Sequence, residues 1–188
     1  KYGIKGQDSD NFNIALAQVA VKNHANAVKN KYAQFQRKIS IDQVINARKS
    51  AHKPLGLFDF APMSDGATAV VLTSEIVANK MTNRPIFVLA CGSATDYLNY
   101  SARDDLCRFY STELAMKSAS QTAQISASDL QLLELPDQST MMEMVTIEDL
   151  GLCQPGTAWK NIYESYKNNQ LFYEIGGKRS GTADRLPA

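Results

Sequence analysis

Three short apolar runs alternate with segments of helical periodicity along this chain, and that alternation constrains its fold more than any single motif. The runs cover residues 67–72, 86–91 and 130–135, and each has the length of one β-strand. Strands that alternate with helices are typical of α/β proteins, in which helices cover the faces of a sheet. The run at 86–91 is apolar throughout, which predicts a strand that is buried on both faces. We therefore predict an α/β sandwich.

The helices are predicted from apolar spacing and from capping residues. Ile14, Ala17 and Val21 recur at intervals of three or four residues and so share one face of the first helix. Ser40, with Gln43 three residues later, has the pattern of a capping box, which marks the start of a short second helix. The predicted helices and their caps are 11–28 (Asp10 or Asn11), the short helix after Ser40, 75–80 (Ser74), one from Asp104 or Asp105 to about 122, and 139–150 (ended by Gly151).

Composition and charge exclude several classes of function. Of the 188 residues, 44% are apolar and 21% are charged, a balance typical of globular rather than disordered proteins. The formal net charge is +1, so a nucleic-acid partner, which selects clustered Lys and Arg, is not expected. No apolar run reaches the roughly 18 residues that would indicate a membrane span. The chain begins with Lys1 rather than Met, and we expect it to be part of a longer protein.

The cysteines argue against a metal site and against a disulfide framework. Cys91, Cys107 and Cys153 are odd in number and far apart, and no Cys-x-x-Cys pair occurs. We interpret them as reduced thiols in a cytoplasmic compartment, or in a peroxisome if the organism is a eukaryote.

Motifs that carry chemistry by themselves are absent from the sequence. It contains neither a Gly-x-Gly-x-x-Gly fingerprint nor a Walker sequence. The histidines are His24 and His52, and neither adjoins a cysteine. Because an activated nucleophile needs a base beside it, composition and spacing identify no complete catalytic set.

Two further segments each allow two interpretations. Ser64-Asp65-Gly66 is either an active-site loop or, as we prefer, a turn in which Gly66 supplies an unusual φ. The methionines around Glu143 either line an adaptable pocket or, as we again prefer, pack in the core; they are Met141, Met142 and Met144.

Three blocks of sequence, taken together, are more specific than any of these motifs. They are Ala20–His24 with Asn30 and Tyr32–Gln36, then Pro62–Val70, then Asp129–Cys153. The first resembles the Lys-Asn-His … Asn-Pro-Tyr-Ser-Gln-Phe-Gln stretch of sterol-carrier-protein-type thiolases and their archaeal relatives. The second resembles their Pro-x-Ser-Asp-Gly-Ala-x-Ala block, and the third their Glu-Leu-His-Asp-Cys-Phe … Leu-Gly-Leu-Cys block. The blocks stand in the family's order and at its spacing, so the chain resembles the thiolase superfamily along nearly its whole length.

The resemblance implies a partial, thiolase-like layered α/β sandwich: one βαβαβ half preceded by helices of a loop domain. Residues 1–53 would be the end of the loop domain and a linker; the composition of the sequence places the linker itself at 50–54. Residues 54–177 would be an incomplete C-terminal half, and 178–188 a flexible tail. Family protomers pair through their sheets, so the resemblance also implies a homodimer or association with a missing half.

The chemistry implied by the resemblance is acyl transfer. Thiolases carry an acyl group on a cysteine and exchange it between coenzyme A and a carbon nucleophile, in a Claisen condensation or its reverse. A histidine activates that cysteine, a second cysteine moves a proton, and oxyanion holes stabilise the developing charge. An acyl-CoA thioester would be the substrate, with no covalently bound cofactor. The nucleophilic cysteine and the Gly-His-Pro and Cys-x-Gly segments of the family have no counterpart in this chain.

Inside the resembling blocks, some positions depart from the family's pattern. Pro136 stands where the family has the oxyanion-hole histidine, and a proline has neither a side-chain donor nor an N–H. Lys31 stands where the family has a proline, and Ser139 where it has an aromatic residue. Two functions therefore stay open: a fragment of an acyltransferase, or a non-catalytic thiolase-like subunit beside a partner subunit. The residues we assign to the substrate or CoA cleft are Asn23, His24, Asp137 and Met141.

Overall fold

The computed structural model describes residues 3–49 and 55–168. Within these ranges the elements are helical. The six α-helices are α1 (Gln7–Ala27), α2 (Ile41–Lys49), α3 (Glu75–Met81), α4 (Tyr110–Ala123), α5 (Thr140–Asp149) and α6 (Ala158–Lys167). Short 3-10 helices lie at Leu57–Asp59, Tyr100–Ala102 and Ala127–Asp129. The predicted linker 50–54, which contains His52, and the predicted tail 178–188 lie outside the described residues.

Helix α1 lies at the centre of the main core. The predicted face of Ile14, Ala17 and Val21 is not the one that packs in this core: Ile14 is partly exposed, and Ala17 and Val21 pack in a second, smaller cluster with Val44 of α2. The face in the main core consists of Ala15, Leu16 and Val19, again at intervals of three or four. This face packs against the buried sides of α5 and α6. The buried members of the cluster are Ala15, Leu16, Val19, Met144, Ile147, Ala158, Trp159 and Ile162. Residues from both sides of the predicted boundary at 53/54 thus share one core.

The first turn of α1 differs from the prediction. The helix begins four residues earlier than expected, and its N-cap is Gly6, at φ 67°. Asp8 and Asp10 lie within the first turn instead of capping it. Acidic side chains are favourable at that end of a helix because the unpaired N–H groups leave it electropositive.

The capping box predicted for α2 is confirmed. The Ser40 N–H donates to Gln43 Oε1 at 2.8 Å, and the Gln43 N–H donates to Ser40 Oγ at 3.2 Å. Both groups would otherwise lack a partner inside the helix.

Replacing Ser40 with alanine is expected to lower the free energy of unfolding by about 1 kcal/mol, because the Gln43 N–H loses its acceptor. The measurement is the midpoint of urea denaturation. Ser74→Ala is the matched control, since Ser74 is the N-cap of α3 by position but its side chain makes no capping bond. Equal losses in the two variants would contradict the assigned role of the Ser40 hydroxyl.

The start and end of α5 also follow the prediction. Ser139 Oγ accepts the Met142 N–H at 3.1 Å, so Ser139 is the N-cap. After the helix, Gly151 adopts φ 76°, and the Leu152 N–H bonds back to the Ile147 carbonyl at 3.2 Å. A positive φ at this position is typical of glycine after a helix.

The start of α4 was predicted too early. The helix begins at Tyr110, and Asp105 instead accepts the Cys107 N–H at 2.7 Å within a turn. The Phe109 N–H, just before the helix, donates to Asp149 at 2.6 Å. The group that fixes the entry to this helix thus comes from α5, forty residues away, where local sequence gives no signal.

Helix α6 has no counterpart in the prediction. The Glu148 carboxylate holds the start of this helix: it accepts from the Ala158 N–H at 3.0 Å and from the N–H of Gly156, two residues before the helix, at 2.8 Å. Trp159 and Ile162 are buried. With Tyr163, these residues have the spacing of one helix face, and this signal in the sequence would have identified the helix.

The predicted strands are the main correction. In the described ranges the runs 67–72, 86–91 and 130–135 form no strand, and an isolated antiparallel bridge joins Phe60 to Ser139. Val71 and Ile86 are 85% and 98% exposed, so the run at 86–91 is not buried on both faces. A strand needs a neighbour that takes up its backbone hydrogen bonds, and no described residue fills that role for the runs 67–72 and 86–91.

Candidate functional site

A buried polar cluster lies where α1 meets the start of α5. Lys22 on α1 forms an ion pair with Glu143 on α5, and their side chains are 3% and 1% exposed. The neighbouring Asn23 donates from Nδ2 to Glu143 Oε2 at 2.8 Å and to Asp137 Oδ2 at 3.0 Å. The charges of Lys22 and Glu143 are tolerated inside the protein because each has the other as a partner.

His24 lies next to this cluster and supports a different segment. It is buried, and its Nδ1 donates to the Arg37 carbonyl oxygen at 3.2 Å. The imidazole meets the Phe58 ring edge-on, with 6.0 Å between the ring centroids. The bond to Arg37 holds the chain between α1 and α2, part of which belongs to the first block of resemblance, and the contact with Phe58 holds the 3-10 helix Leu57–Asp59.

Of the four residues assigned to the cleft, Asp137 and Met141 are partly exposed, and Met141 also packs against the main core. Pro136 is exposed. Its two neighbours are fixed, since Leu135 packs against the main core and Asp137 is bonded to Asn23. A side chain at position 136 is therefore presented to solvent from a loop held on both sides.

A second buried cluster, around Asp59 and Arg48, corresponds to no motif in the sequence. Asp59, which is fully buried, accepts from Arg48 Nε at 2.7 Å and from Arg48 Nη2 at 2.6 Å. It also accepts from the Gly56 N–H and from Thr140 Oγ1, each at 2.8 Å. Arg48 Nη1 donates in turn to the Asn13 carbonyl at 2.8 Å. Thr140 and Glu143, both buried on α5, thus attach that helix to the two ion pairs.

The Ser64–Gly66 segment is exposed, and part of its interpretation was wrong. Gly66 does not adopt a positive φ, so the turn does not require a glycine there. The Ser64 hydroxyl donates to Gln34 Oε1. This contact brings the second block of resemblance against the first.

The three cysteines belong to neither of the two polar clusters described above. Cys91 is exposed, and Cys107 and Cys153 are partly buried. Over residues 3–49 and 55–168, no three His, Cys, Asp or Glu side chains gather in an arrangement that could hold a metal ion. In the same ranges, every helix is too short or too polar to cross a bilayer.

Comparison with known proteins identifies relatives over most of the chain. A family model described as thiolase C-terminal domain-like matches residues 92–170. An acetyl-CoA acetyltransferase of Methanothermobacter thermautotrophicus is 36% identical over 141 residues, which are 75% of this chain and 37% of that protein. Sterol carrier protein 2 of Gallus gallus is 32% identical over 154 residues, 76% of this chain and 27% of that protein.

The same architecture occurs in a solved structure. A chain of the Ltp2-ChsH2(DUF35) aldolase superposes with a TM-score of 0.80 at 23% identity, over 98% of this chain and 47% of that one. Together, the family model and this structural likeness show a thiolase-like fold. It spans well under half the length of the curated relatives that it matches, 37% and 38% of the archaeal acetyl-CoA acetyltransferases.

Proposed function

The chain belongs to the thiolase superfamily, and from this premise we propose that it is part of an acyltransferase acting on acyl-CoA thioesters by Claisen condensation or thiolysis. The nucleophilic cysteine and its activating histidine would come from parts of the protein outside these 188 residues. This chain would contribute one wall of the substrate cleft and the support behind it.

One observation carries the proposal. The residues of the first and third blocks that resemble the family, far apart in sequence, meet through Asn23, which is bonded to both Asp137 and Glu143. Polar groups inside a protein cost free energy unless they are paired. The pairing of these groups across two blocks of the family's pattern is therefore the feature that supports a common site.

Within this proposal, the four candidate residues divide by exposure. Asp137 and Met141 are partly exposed and would face the substrate side of the loop before α5. Asn23 and His24 are buried and would support that wall from behind. The layered sandwich and the division at 53/54 belong to the same proposal: the runs 67–72 and 86–91 would become strands once they have partners.

The test is thiolysis of acetoacetyl-CoA by coenzyme A, using the protein expressed from its complete reading frame. The proposal expects formation of acetyl-CoA that saturates with both substrates. The control is the same protein after alkylation of its cysteines, which blocks a thiolate nucleophile. Absence of acetyl-CoA formation from acetoacetyl-CoA and from longer 3-ketoacyl-CoA thioesters would contradict the proposal.

A second function is favoured by Pro136. With no donor at the position of the family's oxyanion-hole histidine, the chain could serve as a non-catalytic thiolase-like subunit that binds acyl-CoA and positions a partner subunit. This function predicts acyl-CoA binding by equilibrium dialysis without thiolysis, and thiolysis only when the partner is added.

Both functions predict association through the apolar surface 67–91, defined as the two exposed runs and helix α3 between them. Large apolar side chains on it are 42–98% exposed, more than a monomer commonly leaves in contact with water. Sedimentation is expected to give a dimer or larger species, and the double variant Val71→Lys/Val88→Lys a smaller one.

The matched control is Leu57→Lys/Leu132→Lys, which adds the same charges at exposed leucines outside this surface. A monomeric wild-type protein that binds no apolar dye would contradict the prediction.

A further inference from the structure

The amide of Asn23 is held between two carboxylates. Its Nδ2 gives one hydrogen to Glu143 Oε2 at 2.8 Å and the other to Asp137 Oδ2 at 3.0 Å. Its Oδ1 is buried and has no hydrogen-bond partner among the described residues. Both donor hydrogens of the amide are therefore hydrogen-bonded, while its oxygen has no donor among the described residues. The two carboxylates consequently determine how the amide is oriented.

The two carboxylates belong to different parts of the chain. Glu143 lies in the first turn of α5 and is held by Lys22 from α1. Asp137 lies in the loop 133–139, which leads into that helix. Asn23 consequently links the loop to a point of the core that is already fixed by an ion pair.

The loop has a second attachment, on its other side. The Ala61 N–H donates to the Gln138 carbonyl at 3.1 Å, beside the bridge between Phe60 and Ser139. Gln138 directly follows Asp137, so a loop released by Asn23 would move the acceptor of the Ala61 N–H. The amide proton of Ala61 therefore reports the position of the loop.

We propose that Asn23 is a positioning residue that fixes the loop 133–139, and with it the group at position 136, by bonding Asp137 and Glu143 at once. The effect on catalysis rests on the function proposed above, since the loop would form a wall of the acyl-CoA cleft. An amide suits this place because it has two donor hydrogens and no charge. An aspartate at position 23 would add a third carboxylate to the cluster, and a leucine would supply no donor.

The test is hydrogen exchange of individual backbone amides, read out by NMR, in the variants Asn23→Asp and Asp137→Ala. In both, the Ala61 amide is expected to exchange about 10-fold faster, corresponding to one lost charge-assisted hydrogen bond. The Val44 amide, which bonds to the Ser40 carbonyl in α2, is expected to keep its rate. Asn46→Asp makes the same chemical change at an exposed site and should leave both rates unchanged.

A reciprocal exchange of the two groups separates positioning from a general loss of stability. In Asn23→Asp/Asp137→Asn, the amide introduced at position 137 can donate to the carboxylate introduced at position 23. The rate of Ala61 is expected to return most of the way to the wild-type value. An unchanged Ala61 rate in both single variants, or an equal rise at Val44, would overturn the proposal.

The activity assay distinguishes this proposal from the proposed function. If the wild-type protein catalyses thiolysis, Asn23→Asp is expected to lower kcat by about 10-fold or more, with the double variant recovering it. A faster Ala61 exchange with unchanged kcat would overturn the link between the loop and the cleft. If the wild-type protein has no activity, the proposed function fails, while hydrogen exchange still decides whether Asn23 fixes the loop.

Discussion

Replacing Asp59 with alanine is expected to lower the free energy of unfolding by about 3–5 kcal/mol, because it leaves the buried guanidinium of Arg48 without its partner. Asp59 is fully buried and accepts hydrogen bonds from Arg48, from the Gly56 N–H and from Thr140. Each of these donors would lose its acceptor in a place that water reaches poorly. The loss would also release α5 from the chain that follows α2.

The measurement for this variant is urea denaturation, with the midpoint and slope compared with those of the wild-type protein. Asp65→Ala is the matched control: Asp65 is exposed, and a change of about 0.5 kcal/mol or less is expected. Where the Asp59 variant is too unstable to purify, Thr140→Ala removes one of the four hydrogen bonds and is expected to cost about 1 kcal/mol. A loss below about 1 kcal/mol for Asp59→Ala would show that the ion pair is not buried as described.

Replacing Pro136 with histidine is expected to raise the rate of thiolysis by about 10²–10³-fold, the factor usually lost when one oxyanion-hole donor is removed. The loop is suited to such a change, since Leu135 packs against the main core and Asp137 is bonded to Asn23. A histidine side chain at this exposed position would not have to displace a core residue.

Two controls separate a new donor from a change in the loop. Pro136→Ala removes the proline without supplying a donor, and Gln138→His places an imidazole two residues away on the same exposed loop. Neither is expected to raise kcat. An equal rise in Pro136→Ala would assign the effect to the loop backbone, and no rise in Pro136→His would favour the non-catalytic function.

The correctly predicted parts of the fold are those in which the controlling groups are close in sequence. The two residues of the capping box, Ser40 and Gln43, are three positions apart, and Gly151 lies two positions after the last residue of the helix that it ends. By contrast, the entry to α4 depends on Asp149, and the start of α6 on Glu148, at the end of α5. Backbone groups satisfied by distant side chains leave no mark on a short window of sequence.

The strand predictions were wrong for a related reason, because a strand depends on a neighbouring strand that a short window of sequence does not show. The run 86–91 has the composition of a buried strand, and composition is all that the sequence shows. A strand also requires a neighbour, and the described residues contain no partner for this run. Its residue Ile86 is 98% exposed as a result.

The candidate site was predicted only through the resemblance. Asn23 and Asp137 are 114 positions apart, and nothing in their spacing indicates that they meet. The resemblance to the family assigned both residues to the cleft, and the structure brings them into contact. The ion pair of Arg48 and Asp59 belongs to no motif, and no feature of the sequence identifies it.

The most direct test of the acyltransferase function is mass spectrometry of the complete protein after incubation with acetyl-CoA, followed by peptide mapping. We expect one acetyl group on a cysteine other than Cys91, Cys107 and Cys153, and its removal when coenzyme A is added. Acetylation of one of these three cysteines would contradict the assignment of the nucleophile to another part of the protein. No acetyl-cysteine with acetyl-CoA or with longer acyl-CoA thioesters would contradict the acyltransferase function itself.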